Sequence, residues 1–243
     1  TNLLFDDMGF RGLIIKNGIK GIQLNEDGLL SVLSGSKLKE VLQFCVEEKR
    51  QGLEFLAGIP GTVGGAVYGN AGAFGQCIGS FLSDVLLLSV YGQLVTRAPA
   101  EMEFSYRDSG LKRSKEILLE ARFRLQEGDP DLISQMIRDH IDIREKKHPP
   151  YTVPSAGSYF KNPFPPRTQA AAAVLLEKAG AKELTRGAAA VSPIHANFIV
   201  NTGYATAADV RALAEELKER VRKRFGIELE EEVIYLPADP SMP

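Results

Sequence analysis

Apolar positions along the chain switch repeatedly between two periods, and the switches mark its elements. RGLIIK (11–16) and LLSVLSG (29–35) are short aliphatic runs that stop at Asn17 and Gly35, and they predict strands. In KLKEVLQFCVEEKR (37–50), Leu38, Val41, Leu42, Cys45 and Val46 recur at steps of three and four, which predicts an amphipathic helix with Ser36 as its N-cap. FLSDVLLLSV and QLVTRA flank Tyr91-Gly92 and predict two strands around a turn. KEILLEARFRLQ (115–126) adds a third, alternating strand.

Asp129-Pro130 then sets an acidic cap before a proline at the first helical position. Leu132, Ile133, Met136, Ile137 and Ile141 give that helix one apolar face. The proline pair of KKHPPYTVP (146–154) stops it, and places a domain boundary near residue 147. Beyond the boundary the pattern is regular. AAAVLLEKAG (171–180) predicts a helix ended by Gly180, and ANFIVN (196–201) a short buried strand. Thr206 and Asp209 have the spacing of a capping box, and Val210, Leu213, Leu217 and Val221 form the inward stripe of the following helix. EEVIYL (231–236) reads as a closing strand and PADPSMP as a frayed tail. The expected organisation is α+β, with residues 1–128 as one domain, 129–147 as a linker helix and 148–243 as a second α/β domain.

The chain has 243 residues, of which 44% are hydrophobic and 25% charged, so it can bury two subdomain cores. A net charge of −2 argues against nucleic acid or an anionic membrane as the main partner. Cys45 and Cys77 form no CxxC motif and no cluster with histidine, so no metal is expected and a disulfide framework is excluded by number. No apolar run reaches the roughly 18 residues of a membrane span, and the expected location is the cytoplasm. The opening TNLLFDDMGFRG lacks an initiating methionine and begins in a turn-like sequence, which predicts a further segment ahead of Thr1.

GIPGTVGGAVYGNAGAFG (58–75) carries seven glycines and no charged residue. It is not a P-loop, because no lysine follows, and its GxxGxxGG spacing is not the dinucleotide fingerprint. Ile59, Val63, Val67, Tyr68 and Phe74 are too apolar for a linker. Two readings remain: a compact loop whose bare amides face an anion, or a tight packing seam. In FSYRDSG (104–110), Arg107 is either a site cation or a surface ion-pair partner. In SAGSYFKNP (155–163), Ser158 lacks a GxSxG context and is either a turn residue or a reactive hydroxyl. Period two in LEEEVIYL puts Glu230, Glu232 and Ile234 on one side, and a buried Ile234 would set Glu232 beside an apolar edge. His195 is a site residue or a core histidine.

Taken in order, TNLL, GIPGTVGGAVYGNAGAFG, FSYRDSG, SAGSYFKNP, HANFIVN with ATAADV, and LEEEV resemble the UDP-N-acetylenolpyruvoylglucosamine reductases of bacterial cell-wall synthesis, over essentially the whole chain. The resemblance implies an FAD-binding domain of the vanillyl-alcohol-oxidase (PCMH) type, lacking its N-terminal part here, followed by a substrate-binding domain whose last strand returns towards the active site. It implies NADPH-dependent reduction of UDP-N-acetylglucosamine enolpyruvate to UDP-N-acetylmuramate by a monomer. Arg107 is the implied cation at the substrate carboxylate, Ser158 the proton donor and Glu232 a partner of the same carboxylate or enolate. The flavin would be held by Thr1, Asn2, Gly58, Ile59, Pro60, Gly61, Thr62, Gly64, Gly65, Asn70, Ala71 and Gly72. Tyr106, Asn162 and His195 would contact the substrate. The alternatives are another FAD-linked oxidoreductase of the same fold and a redox-inactive fragment that binds a UDP-sugar.

Overall fold

The computed structural model describes residues 2–163 and 170–239. Thr1 and the tail beyond residue 239 lie outside that description, and with them the expectation for Thr1 as a flavin contact and for a frayed end. The chain forms two compact units, Ile15–Arg144 and the combination of Thr1–Ile14 with Glu145–Pro243. A single cut near residue 147 therefore does not divide it: the first residues pack with the C-terminal unit, where Leu3–Phe5 pairs in parallel with Ile234–Leu236.

Unit Ile15–Arg144 is built on a five-stranded antiparallel sheet, in the order Ile22–Leu24, Leu30–Leu33, Ile117–Phe123, Leu82–Leu88, Leu94–Arg97. Leu30, Val32, Val85, Leu87, Ala121 and Phe123 point from it into the core, and each is inaccessible to solvent. Helix α1 (Leu38–Glu47) contributes Leu38, Val41, Leu42 and Cys45 to the same core. Its cap is not Ser36: the Glu40 carboxylate accepts from the Lys37 amide at 3.0 Å, and Ser36 Oγ instead bridges the Gly21 amide and carbonyl. Helix α2 (Val63–Tyr68) arises inside the glycine stretch, and helix α3 (Leu111–Ser114) is a single turn. Helix α4 (Pro130–Lys147) starts at its proline, with Asp129 Oδ1 accepting from the Asp131 amide. Its buried stripe is narrower than expected. Ile133 is buried and Ile137 and Ile141 lean on the core, whereas Leu132 and Met136 are exposed.

RGLIIK forms no strand. A strand needs a neighbour to take its amides and carbonyls in turn; here Arg11 N donates to Ala238 O at 2.8 Å but no ladder forms along 11–16 among the described residues, and Leu13 and Ile15 are 81% and 77% exposed.

The second unit carries a four-stranded antiparallel sheet ordered Ser155–Ser158, Phe198–Asn201, Ala189–Val191, Thr185–Arg186. Helices α5 (Ala172–Lys178) and α6 (Ala207–Phe225) pack over it through Leu175, Leu176, Leu213, Leu217 and Val221. The capping box of α6 forms as expected: Thr206 Oγ1 accepts from the Asp209 amide, and Asp209 Oδ2 accepts from the Thr206 amide. Asp7 supplies a second cap, its carboxylate accepting from the Ala207 and Ala208 amides at 2.6 and 3.1 Å. A negative charge is favourable at this positive end of a helix dipole. No helix among the described residues is long and apolar enough to cross a membrane.

Candidate active site

The glycine stretch folds into three pieces: a turn, α2 and a hairpin. Gly58 and Gly61 have φ of 71° and 145°, conformations that favour glycine. Thr62 caps α2, its Oγ1 accepting from the Gly65 amide. The amides of Val63 and Gly64 donate to the carbonyls of Ser36 and Ser34, at 3.0 and 2.8 Å. The N–H groups of Val63, Gly64 and Gly65 at this helix start are therefore satisfied within the protein. Two adjacent glycines serve different ends. A Cβ on Gly64 would stand 3.0 Å from Ser34, so packing requires glycine; a Cβ on Gly65 would meet nothing closer than 3.8 Å. No protein atom requires glycine at 65, and its bare, exposed backbone is a surface that a flat group can approach closely. The bare backbone at Gly65 therefore fits close approach by a flavin. Pro60 and Gly61 are exposed on the same edge, and Ile59 turns towards the core.

The later flavin candidates face the other way. Asn70 is 6% exposed and its amide is occupied: Oδ1 accepts from Gly79 N at 3.2 Å, and Nδ2 donates to Ser105 O at 2.8 Å. Ala71 packs against the core, and Gly72 opens the hairpin Gly72–Ala73/Gln76–Cys77, where a Cβ would run into Gln76 O at 2.8 Å.

Ser105 and Asp108 exchange backbone hydrogen bonds at 3.1 and 3.2 Å, which leaves Tyr106 and Arg107 at the tip of a tight turn. Arg107 has φ of 56°, a left-handed conformation costly for a side chain with a Cβ. Its Nη1 donates to Gly72 O at 3.0 Å, and its guanidinium lies 5.5 Å from the ring centre of the half-exposed Tyr106. The neighbouring Asp108 is an ion-pair partner of Arg113 at 2.6 Å, which together with Lys112 holds its carboxyl below the usual range.

In the second unit, Ser158 ends its strand opposite Phe198, one residue after Gly157 at φ 87°. The chain beyond it is gripped by Asn197, 4% exposed, whose Oδ1 accepts from Phe160 N at 2.9 Å and whose Nδ2 donates to Phe160 O at 2.8 Å. Nothing in the sequence pattern singled out Asn197; a polar residue inside the run ANFIVN was the available signal. Asn162 Oδ1 accepts from Ala172 N and so tethers the start of α5. His195 stacks edge-on with His148 and Phe198, at 5.1 and 5.0 Å between ring centres. Burial, and next the charge of Lys182, lower its pKa, and its Nδ1 accepts from Asn197 N.

The three glutamates separate. Glu230 pairs with Lys161, and Glu231 with Lys218 at 2.5 Å and with the Tyr159 hydroxyl. Burial, then the Glu231 charge, push the Tyr159 pKa upward. Leu229 and Val233 are buried while Ile234 is half-exposed, so the inward side carries Glu231, and the buried Ile234 expected beside Glu232 is not found. Glu232 is held by its backbone, its amide donating to Tyr159 O and its carbonyl accepting from Asn2 Nδ2 at 3.0 Å. Asn2, expected at the flavin, thus directs its side-chain amide to the chain segment of Glu232.

Residues 149–236 match the family described as the UDP-N-acetylenolpyruvoylglucosamine reductase C-terminal domain, and residues 1–96 match an FAD binding domain. The UDP-N-acetylenolpyruvoylglucosamine reductase of Protochlamydia amoebophila is 40% identical over 98% of this chain and 78% of its own length. The chain belongs to the UDP-N-acetylenolpyruvoylglucosamine reductase family. The reductase of Halalkalibacterium halodurans is also 40% identical, over 96% of this chain and 76% of its own. The crystal structure of UDP-N-acetylenolpyruvylglucosamine reductase from Thermus caldophilus superimposes with a TM-score of 0.73 at 34% identity, covering 85% of this chain and 72% of that one. The reductase family fixes the reaction as FAD-dependent reduction of the enolpyruvyl group of its UDP-sugar, in peptidoglycan precursor synthesis.

Proposed function

We propose that NADPH is the electron donor, that the reaction proceeds in the cytoplasm in a monomer, and that Arg107, Ser158 and Glu232 divide the chemistry of the substrate half-reaction. When bound, FAD supplies a hydride to the terminal vinyl carbon of UDP-N-acetylglucosamine enolpyruvate. Addition of a hydrogen with its electron pair there breaks the carbon–carbon π bond and leaves negative charge on the α-carbon and its carboxylate. Arg107 stabilises that enolate as a cation, by electrostatic preorganisation. Ser158 donates its hydroxyl proton to the α-carbon, a workable transfer because the carbanion is a far stronger base than an alkoxide. Glu232 sits on the same carboxylate, which it can do in its protonated form. Tyr106, Asn162 and His195 orient the nucleotide sugar, and residues Gly58–Gly65 carry the flavin.

The observation that carries this reading is the conformation of Arg107. A left-handed arginine at the tip of a hydrogen-bonded turn costs on the order of 1–2 kcal/mol, and such strain concentrates where a side chain must be aimed. The test is anaerobic. Enzyme reduced with NADPH should recover its oxidised flavin spectrum when UDP-N-acetylglucosamine enolpyruvate is added. Failure of that compound to reoxidise it refutes the proposal.

A further inference from the structure

The turn that carries Arg107 is held by hydrogen bonds to residues 68–72 and to the residues that follow it. Four hydrogen bonds converge on it. Asn70 Nδ2 donates to Ser105 O at 2.8 Å, and Ser109 Oγ, fully buried, donates to Tyr68 O at 2.7 Å. Lys112 Nζ donates to the carbonyl of Arg107 itself at 2.6 Å, and Arg107 Nη1 reaches Gly72 O at 3.0 Å. Asn70 is the hub, because its Oδ1 also accepts from Gly79 N and so ties the turn to the 3-10 turn Ile78–Phe81 that follows the glycine stretch. Asn70 itself stands at φ 43°, left-handed like Arg107. A Cβ on Gly79 would strike Phe104 at 2.8 Å and Asn70 Oδ1 at 3.0 Å, so this junction leaves no room for a side chain at position 79.

A long arginine loses much rotamer freedom when it is fixed on a substrate. If its backbone also had to enter the left-handed region at that moment, the cost would subtract from transition-state stabilisation. Here that backbone conformation is already set by partners within the same unit. Resting on the assignment of Arg107 to the enolate, we propose that Asn70 is a positioning residue: it locks the Ser105–Asp108 turn so that Arg107 is pre-set for the substrate half-reaction. It acts through Arg107 and not on the flavin.

The test uses the FAD-loaded full chain and stopped-flow measurement of each half-reaction. Asn70→Asp keeps the acceptor for Gly79 N and tolerates positive φ, but loses the donor to Ser105 O. Asn70→Gly removes the side chain without backbone strain. Both variants should take electrons from NADPH at close to the wild-type rate. Reoxidation by UDP-N-acetylglucosamine enolpyruvate should slow about 10–100-fold in its limiting rate, with a smaller change in the substrate concentration at half-saturation. The double variant Arg107→Ala/Asn70→Gly should be no slower than Arg107→Ala, because one residue works through the other. An unchanged reoxidation rate in Arg107→Ala would bring down the underlying reading. A slow Arg107→Ala with normal Asn70 variants, or a double variant slowed by the product of the two effects, would overturn the positioning role. Equal loss in both half-reactions would overturn it as well.

Discussion

Asn197→Ala is expected to destabilise the C-terminal unit by about 2–4 kcal/mol. Phe160 is 1% exposed, and both its amide and its carbonyl are bonded to the Asn197 side chain, at 2.9 and 2.8 Å. Truncation removes both partners at once and leaves two backbone groups where water does not readily reach. Each such group costs about 1–3 kcal/mol, and partial relaxation keeps the sum near the lower part of that range. Divided by a urea dependence of about 2 kcal/mol per molar, the midpoint should fall by about 1–2 M at unchanged slope. Asn197→Asp separates the two bonds. Protonated, it keeps an acceptor for Phe160 N and an O–H donor for Phe160 O; ionised, it loses that donor, so its midpoint should fall as the carboxylate ionises. Tryptophan is absent from the chain, so far-ultraviolet circular dichroism of the FAD-loaded protein follows the transition. A midpoint for Asn197→Ala within ~0.3 M of wild type would refute the reasoning, since it would mean that the clamp contributes nothing net.

Ser158→Ala should leave flavin reduction by NADPH intact and slow reoxidation by substrate by orders of magnitude; equal loss in both half-reactions would give Ser158 another role. Gly65→Ala should raise the melting temperature of the flavin-free protein, since alanine in a helix interior gains roughly 0.5–1 kcal/mol over glycine, while weakening FAD retention measured by fluorescence titration. Gly64→Ala should instead lower it, because its Cβ would be pressed to 3.0 Å from Ser34. Unaltered flavin affinity in Gly65→Ala would remove that face from the binding site. For His195 the folded-state pKa lies below the unfolded one, through burial and then Lys182. Its contribution is thus present above the ordinary histidine value of about 6.5 and lost as pH falls through the lowered folded value. Stability should decline on acidification less steeply in His195→Gln than in wild type, and parallel urea midpoints between pH 7.5 and 5 would contradict this.

Much of the local architecture was legible from the chain. The period-two runs around Tyr91-Gly92, the proline start of α4, the Thr206–Asp209 box and the Leu213–Leu217–Val221 stripe depend on neighbours a few residues away, and they form as the pattern predicts. The motifs from TNLL to LEEEV also carried the family in their order. Elements whose stability depends on a distant partner were not legible. RGLIIK has the composition of a strand but forms no ladder among the described residues, only the bond from Arg11 N to Ala238 O. Ser36 has the chemistry of a cap, yet the Gly21 backbone claims its hydroxyl.

The same division runs through the candidate site. Residue types are a property of the sequence: a cation in FSYRDSG, a hydroxyl in SAGSYFKNP, three carboxylates in LEEEV, and glycines where a flat cofactor needs bare backbone. Which of these are already engaged is decided by tertiary contacts between residues far apart in the chain. Lys161 pairs with Glu230 and Lys218 with Glu231, Ser34 consumes the amide of Gly64, and Ser105 and Gly79 occupy Asn70. Charge pairing and hydrogen bonding act over about 3 Å in space, whatever the separation along the chain. A sequence therefore supplies the inventory of groups, and the fold determines which of them are left to meet a ligand.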